Sequence, residues 1–210
     1  GVGTVRSEKY LIIESSSKIT SEVWYLDASD PNGEFTCVRP REAGVEYDID
    51  HAVISGQDMW LITHNMTGSN FALAMAPVGS FDRISDLTEL VPHREDVRVE
   101  GVDCFAGHIA FGYRRGGIGR VALAVLDHDE DGAGSAGDAS DTSDAADPVP
   151  ASAVNFVELE FDEELYSAGT TGNAEWDTPV LRYAYGSFTT PSQLWQIDIA
   201  SGKRVLLKEQ

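Results

Sequence analysis

Hydrophobic and polar positions follow a repeating pattern of short apolar runs separated by turn residues. Residues 181–207 show it most clearly, with an apolar run, a turn of Gly, Ser, Thr and Pro, an alternating run that ends at Asp198, and a further apolar run. Alternation with a period of two over about four to eight residues, bounded by turn residues, indicates β-strands. The pattern therefore predicts an antiparallel meander whose apolar faces need neighbours on both sides.

The same unit occurs three more times earlier in the chain. In each occurrence the second strand ends 17 positions after the first strand starts. The starts are Tyr10, Trp60, Ala110 and Leu181, and the ends are Asp27, Pro77, Asp127 and Asp198. Successive starts are 50, 50 and 71 residues apart, and the longest interval contains a low-complexity run at 128–150. A four-stranded repeat of about 40 to 50 residues is the period of a β-propeller blade.

We therefore predict an all-β fold, a partial β-propeller of about four blades that are each a four-stranded antiparallel sheet. The predicted blades cover residues 1–44, 45–93, 94–161 and 162–210, with an acidic flexible insertion at 128–150. The first blade is expected to be incomplete, because few residues precede its second strand. Four blades do not close the common propeller rings, so we expect an open arc that self-associates through its uncovered flanks.

Composition narrows the classes of partner. The formal net charge is −20 and Lys and Arg are not clustered, which argues against nucleic acid, since phosphate binding needs concentrated positive charge. No apolar run reaches the roughly 20 residues that span a bilayer, which argues against a membrane partner. The acidic field has two interpretations. It maintains solubility, or it attracts peptides that carry Lys or Arg to a site that the chain borders.

The two cysteines indicate the redox environment. Cys37 and Cys104 have no CxxC spacing and lie on different predicted blades. Free thiols in a reducing compartment are the favoured interpretation, with a disulfide as the alternative. We therefore expect a cytoplasmic protein.

Two motifs in the insertion suggest chemistry that their surroundings do not support. Ser135 lies in a near match to the G-x-S-x-G nucleophile elbow, but an elbow needs a strand before the Ser and a helix after it. Acidic residues of the same run have the spacing of a calcium loop, at Asp127, Asp129, Asp131 and Asp138 with Gly132. No flanking helices are predicted, so a disordered acidic loop is favoured and calcium binding is the alternative. We predict no catalytic residue, metal ligand or cofactor in this chain.

The histidines do not have the spacing of a metal site. Four of them are expected at strand ends or turns, without an HxH or HExxH pattern: His51, His64, His93 and His108. Structural or solvent-exposed roles are the default for such residues.

The tryptophans divide into two groups. Trp24, Trp60 and Trp195 recur within the repeated strands, which indicates packing between blades. Trp176 lies outside that register, in a turn-rich segment. It is the tryptophan that we expect to contact a partner.

Several segments, in the same order, resemble oligopeptidase B, also called protease II. The matching segments are residues 20–27, 41–51, 92–94 with 96–97, 189–192 and 206–208. The resemblance covers nearly the whole chain apart from the acidic insertion. It implies a serine peptidase of the prolyl oligopeptidase type, which joins a seven-bladed propeller to an α/β-hydrolase domain and cleaves short peptides after Arg or Lys. By this resemblance, the chain is the C-terminal four blades of that propeller.

The resemblance also implies that this chain carries no site residue. The Ser, Asp and His triad of the family, and the acidic residues that hold the basic side chain of the substrate, lie in the hydrolase domain. The expected role is to limit access to the active site, and the segment alone is expected to be inactive. Two alternatives remain open: a non-catalytic propeller-type protein-binding module, and a calcium-binding acidic protein. The insertion is larger than the usual connection of the family, which leaves its role open.

Overall fold

The computed structural model describes residues 1–126 and 148–210, and the chain there forms four four-stranded antiparallel sheets. Sheet 1 contains β1 (Val2–Thr4), β2 (Tyr10–Ser16), β3 (Ser21–Asp27) and β4 (Thr36–Arg39). Sheet 2 contains β5 (Tyr47–Ile54), β6 (Gln57–His64), β7 (Ala72–Pro77) and β8 (Thr88–Val91). Sheet 3 contains β9 (Val97–Cys104), β10 (His108–Arg115), β11 (Ile118–Val125) and β12 (Val157–Glu158). Sheet 4 contains β13 (Tyr166–Thr170), β14 (Val180–Ser187), β15 (Gln193–Asp198) and β16 (Arg204–Glu209).

Strands follow one another within each sheet in chain order, so every sheet is a meander. This arrangement confirms the predicted all-β partial propeller. The first strand, β1, has only three residues, all exposed, as expected for an incomplete first blade. The two tightest hairpins turn through residues with positive φ, at Ser55–Gly56 (50° and 74°) and Gly116–Gly117 (61° and 81°). Two consecutive left-handed residues match the twist of the flanking strands, which is why glycine is used there.

Helical structure is minor in the part of the chain that the structure describes. It consists of two single 3-10 turns, Ile84–Asp86 and Ala151–Ala153. The first lies in the connection between β7 and β8. No helix among the described residues has the length and hydrophobicity to cross a membrane.

The apolar faces of neighbouring sheets pack on each other and form three cores. Between sheets 1 and 2, Trp60 has no exposed surface and meets Tyr10 and Tyr25 edge-to-face, with ring centroids 5.1 and 5.3 Å away. Between sheets 2 and 3, Met59 and Leu61 pack with Phe111 and other buried side chains. The core between sheets 3 and 4 contains Tyr183 and Tyr185. Each sheet is therefore stabilised mainly by the sheets beside it.

The outer face of sheet 1 has no sheet against it. Ile13 is directly opposite Trp24 in the β2–β3 pair, and Leu11 is opposite Leu26. Since side chains alternate across a strand, these four residues lie on the face away from Tyr10 and the first core. The prediction that Trp24 packs between blades is therefore wrong within this arc: 37% of its surface is exposed, and its indole N–H donates to Glu22.

The acidic insertion lies largely outside the described residues. Its last residues are described, and Val149 is only 4% exposed within the core between sheets 2 and 3. The chain then enters β12, which is limited to Val157–Glu158. Ser135 and all five residues of the calcium-type motif lie outside the described residues.

Two histidines are buried in these sheets without full hydrogen bonding. His108 has no exposed surface and neither of its ring nitrogens has a partner, and Nδ1 of His64 also lacks one. Burial, together with the charge of a nearby arginine, lowers the pKa of each histidine to about 4. Protonation of either ring in the folded protein is therefore unfavourable.

We predict that His108 makes the fold acid-sensitive between pH 6.5 and about pH 4. In that window the unfolded chain binds a proton that the folded chain does not, so stability falls as pH falls. Between pH 7 and pH 5 this amounts to about 2 kcal/mol, at 1.36 kcal/mol for each pH unit below 6.5. In urea unfolding at several pH values, His108→Leu should lose less stability on acidification than the original chain. Ile109→Val, at the adjacent buried position, is the matched control and should leave the pH slope unchanged. Equal slopes for all three proteins would contradict this prediction.

Candidate functional site

Polar side chains from the first strand of each sheet converge at one place in the arc. Arg6 follows β1, Asp50 lies in β5, Asp103 in β9 and Thr170 in β13. Nη2 of Arg6 donates to Oδ1 of Asp103 at 2.7 Å, and the hydroxyl of Thr170 donates to Oδ2 of the same carboxylate at 2.6 Å. We call these four residues the axial cluster. It connects all four sheets through groups that are far apart in sequence.

Backbone groups complete the axial cluster. Nη1 of Arg6 donates to the carbonyl oxygen of Cys104 at 2.9 Å, and the N–H of Cys104 donates to Oδ2 of Asp50 at 2.8 Å. The guanidinium of Arg6 also lies over the ring of Phe105, 4.3 Å from its centroid. Phe105 in turn stacks on His108 at 4.3 Å. Arg6 is thus held by a carboxylate, a carbonyl and an aromatic face at once.

The two carboxylates of the cluster differ in environment. Asp103 accepts hydrogen bonds from Arg6 and Thr170, whereas Asp50 is 4.0 Å from Arg6. Burial raises the pKa of Asp50 to about 6, and the N–H groups of Cys104 and His51 together with Arg6 oppose that rise. Asp50 therefore gains a proton in mildly acidic solution, at a pH where an exposed aspartate stays ionised.

An open cleft of about 630 Å³ lies beside the cluster. Its walls are β1, parts of β2 and β5, and the segment after β13, and they include the carboxylates of Glu8, Glu14 and Asp50. Arg6 is the only basic side chain in the lining. The cleft therefore favours a cationic group over an anionic one. Among the described residues, no three His, Cys, Asp or Glu side chains are grouped as metal ligands would be.

A Ser, His and Asp array lies close to the axial cluster. The hydroxyl of Ser7 and Nδ1 of His51 are 2.8 Å apart, and Nε2 of His51 lies 2.9 Å from Oδ1 of Asp58. The ring of His51 has no exposed surface, and Asp58 is also bound by Nζ of Lys9 at 2.6 and 2.7 Å. With both ring nitrogens occupied and no route to solvent, His51 joins sheet 1 to sheet 2 and is not placed to serve a substrate.

One sequence expectation is corrected at this position: His51 lies inside β5 and not at a strand end or turn. Trp176 is half-buried, stacks on His51 with ring centroids 5.9 Å apart and packs against the core between sheets 2 and 3. Its carbonyl also accepts the N–H of Ala106 at 3.0 Å. The contact of Trp176 with a partner stays a prediction.

The cysteines are free, as predicted. Cys104 is fully buried beside the axial cluster, and burial raises the pKa of its thiol well above the ordinary value. Burial also raises the pKa of the partly exposed Cys37. Since the thiolate is the reactive form, neither residue has the environment of a nucleophile.

The fold and the site define an open β-propeller segment with a polar axis. Within residues 1–126 and 148–210, no accessible nucleophile is paired with a base and a set of oxyanion donors. The family model for the prolyl oligopeptidase N-terminal β-propeller domain matches residues 1–210. The chain belongs to this family of propeller domains.

Known relatives agree with this assignment. Dipeptidyl aminopeptidase BI from Pseudoxanthomonas mexicana is 32% identical over all of this chain, which spans 25% of the relative. Protease 2 from Moraxella lacunata is 22% identical over 97% of the chain and 24% of its own length. The oligopeptidase B structure from Trypanosoma brucei, with covalently bound antipain in a closed form, superimposes with a TM-score of 0.78 at 27% identity, over all of this chain and 27% of the other. The chain thus spans about a quarter of the length of these relatives.

We predict that Arg6 stabilises the arc through the axial cluster. Arg6→Met keeps an unbranched chain over Phe105 but leaves Asp103, 31% exposed in its side chain, without its cation. Removing one partner of a partly buried pair should cost about 2 kcal/mol in the free energy of unfolding.

Arg114→Met is the matched control, because it breaks an ion pair with Glu100 in which both side chains are more exposed. An exposed pair contributes less than about 1 kcal/mol. Urea unfolding of the two variants compares them directly. A loss for Arg6→Met no larger than that for Arg114→Met would show that the cluster does not hold the sheets together.

Proposed function

We propose that the chain is the propeller part of a serine peptidase similar to oligopeptidase B, which cleaves short peptides after Arg or Lys. The observation that carries this proposal is the likeness over the full chain to the trypanosomal oligopeptidase B, together with the family assignment. The segment supplies no catalytic group. Its role is to form part of a wall that admits flexible peptides and excludes folded proteins.

The charge distribution supports a preference for basic peptides. The net charge of −20 and the carboxylates of the cleft beside the axial cluster produce a field that concentrates cations near the arc. Such a field increases the rate at which Arg- or Lys-containing peptides reach the arc, and it weakens as salt shortens the Debye length.

A second candidate activity is the release of dipeptides from peptide N-termini. The relative at 32% identity is named a dipeptidyl aminopeptidase, and that identity is higher than the 27% to the oligopeptidase B structure. The propeller is compatible with either activity, because the residues that select the cleavage point would lie on another domain.

We also propose a cytoplasmic location. The two unpaired cysteines, one of them fully buried, are in keeping with a reducing compartment.

Peptide hydrolysis by the full-length protein tests the proposed function. We expect cleavage of N-terminally blocked peptides after Arg or Lys, with kcat/KM falling as salt rises, and no cleavage by the 210-residue chain alone. Release of dipeptides from unblocked substrates only would favour the second candidate. Absence of any hydrolysis would favour the binding module. Ser135→Ala in the full-length protein should leave the rate unchanged, and loss of activity in that variant would contradict the inactive role of this segment.

The isolated chain should self-associate through the outer face of sheet 1. Trp24 is exposed on this face and Leu11 and Ile13 are partly exposed, and association would remove this apolar surface from solvent. Sedimentation velocity at micromolar concentrations should show species larger than the monomer, and Ile13→Lys should shift them to the monomer. Val157→Lys, at a residue that is 62% exposed on β12, is the control and should not. A monomer at all concentrations would refute this expectation.

A further inference from the structure

Phe188 is the most exposed large hydrophobic side chain among the described residues, at 97%. It lies in the connection between β14 and β15, and we call residues 187–191 the Phe188 loop. The equivalent connection of sheet 2 contains Phe71, whose ring packs against a core and is covered by the guanidinium of Arg98 at 5.5 Å. The aromatic residues of these two equivalent loops therefore differ in burial, and only Phe71 is covered within the arc.

The Phe188 loop is held in one conformation by a single carboxylate. Glu163 accepts hydrogen bonds from the hydroxyls of Tyr185, Ser187, Thr189 and Thr190, at 2.5 to 3.0 Å. The hydroxyl of Ser187 also accepts the N–H groups of Thr189 and Thr190. These hydrogen bonds lower the pKa of Glu163 to about 2, so the carboxylate stays ionised in mild acid. A loop fixed in this way presents its aromatic ring without an ordering cost on binding.

A groove adjoins the loop. It has a volume of about 920 Å³ and lies between the β10–β11 hairpin of sheet 3 and strands β13 and β14 of sheet 4. Its lining includes Ile118, Leu165 and Pro191 as well as Phe188, and Leu165 is itself 61% exposed. An exposed aromatic beside an apolar groove is typical of a surface that binds another protein region.

The C-terminal end of the described chain lies at this surface. The N–H of Gln210 donates to the carbonyl oxygen of Ser192 at 3.0 Å, next to the Phe188 loop. The relatives are about four times as long as this chain. In a protein of that length, a region that continues after Gln210 starts beside Phe188.

We propose that the Phe188 loop and its groove are the surface on which the peptidase domain of the full-length protein docks, with Phe188 inserted into an apolar pocket of that domain. This inference rests on the proposed function, because it takes the peptidase domain as the occupant. Glu163 is a positioning residue in this contact, since it fixes the loop and does not reach the partner.

Hydroxyl-radical footprinting of the full-length protein tests the docking. The oxidation rate of Phe188 in the native protein is compared with its rate in urea, and at least about fivefold protection is expected for a side chain at the centre of an interface. Val157, which is 62% exposed on the outer strand of sheet 3, serves as the internal control and should be protected less than about twofold. A rate for Phe188 that matches its rate in urea would overturn the proposal. Protection that disappears on dilution to the monomer would also overturn it, because a second copy would then be the occupant.

A pair of variants of the full-length protein gives a second measurement. Phe188→Ser should lower the urea midpoint of unfolding, whereas Val157→Ser should not. Equal midpoints for both variants would count against docking.

Peptide hydrolysis, measured on the same samples, separates the two proposals. Hydrolysis with an unprotected Phe188 would reject the docking surface and retain the peptidase. Protection without hydrolysis would retain a docked domain and reject its assignment as a peptidase.

Discussion

Burial of both faces of each sheet is the constraint on which the rest of this structure depends. A four-stranded meander has two apolar faces, and a single sheet in water leaves both exposed. In this chain each sheet uses the next one as its cover, so the three cores lie between sheets and none lies within one. The internal sheets, 2 and 3, are covered on both faces. On the outer face of sheet 1, which has no neighbouring sheet, Trp24 is exposed and Ile13 is partly exposed.

Polar contacts fix the positions of the first strands of the sheets relative to one another. Apolar stacking alone does not fix them. Apolar side chains tolerate sliding, whereas a guanidinium that meets a carboxylate and a carbonyl at hydrogen-bond distance does not. Arg6 and the Ser7–His51–Asp58 array join adjacent and non-adjacent sheets in this way. These groups resemble catalytic machinery in composition, but their burial and mutual saturation make them structural.

The sequence predicts the number and order of the sheets because the spacing of 50 residues reflects a local property, the length of one meander. It does not predict which face of a strand is covered. Trp24 and Trp195 each lie 14 residues after the start of their repeat, yet Trp24 is 37% exposed and Trp195 packs against the core between sheets 3 and 4, because only Trp195 has a sheet on its side. The axial cluster was also beyond sequence reasoning, since Arg6 and Asp103 are 97 residues apart and neither lies in a recognisable motif. The contact of Trp176 with His51 is also not predictable from the sequence, because it depends on how the segment between β13 and β14 lies against sheet 2.

The apolar surfaces that the arc leaves exposed indicate where this chain contacts other parts of a protein. A closed, saturated sheet stack needs no partner, and many described side chains conform to that rule, including His51 and the loop residue Phe71 that Arg98 covers. Exposed apolar groups include Trp24 on the outer face of sheet 1, residues 205–207 of β16, and Phe188 on its loop. The outer face of sheet 1 and the Phe188 loop differ in kind. The first is a flat sheet face of the sort that another blade covers. The second is a single ring on a loop that one ionised carboxylate holds rigid. Rigid presentation of one aromatic side chain contributes nothing to the stability of the arc, because the ring contacts solvent on nearly all sides. Its benefit arises only on contact with another surface, where the loop needs no further ordering.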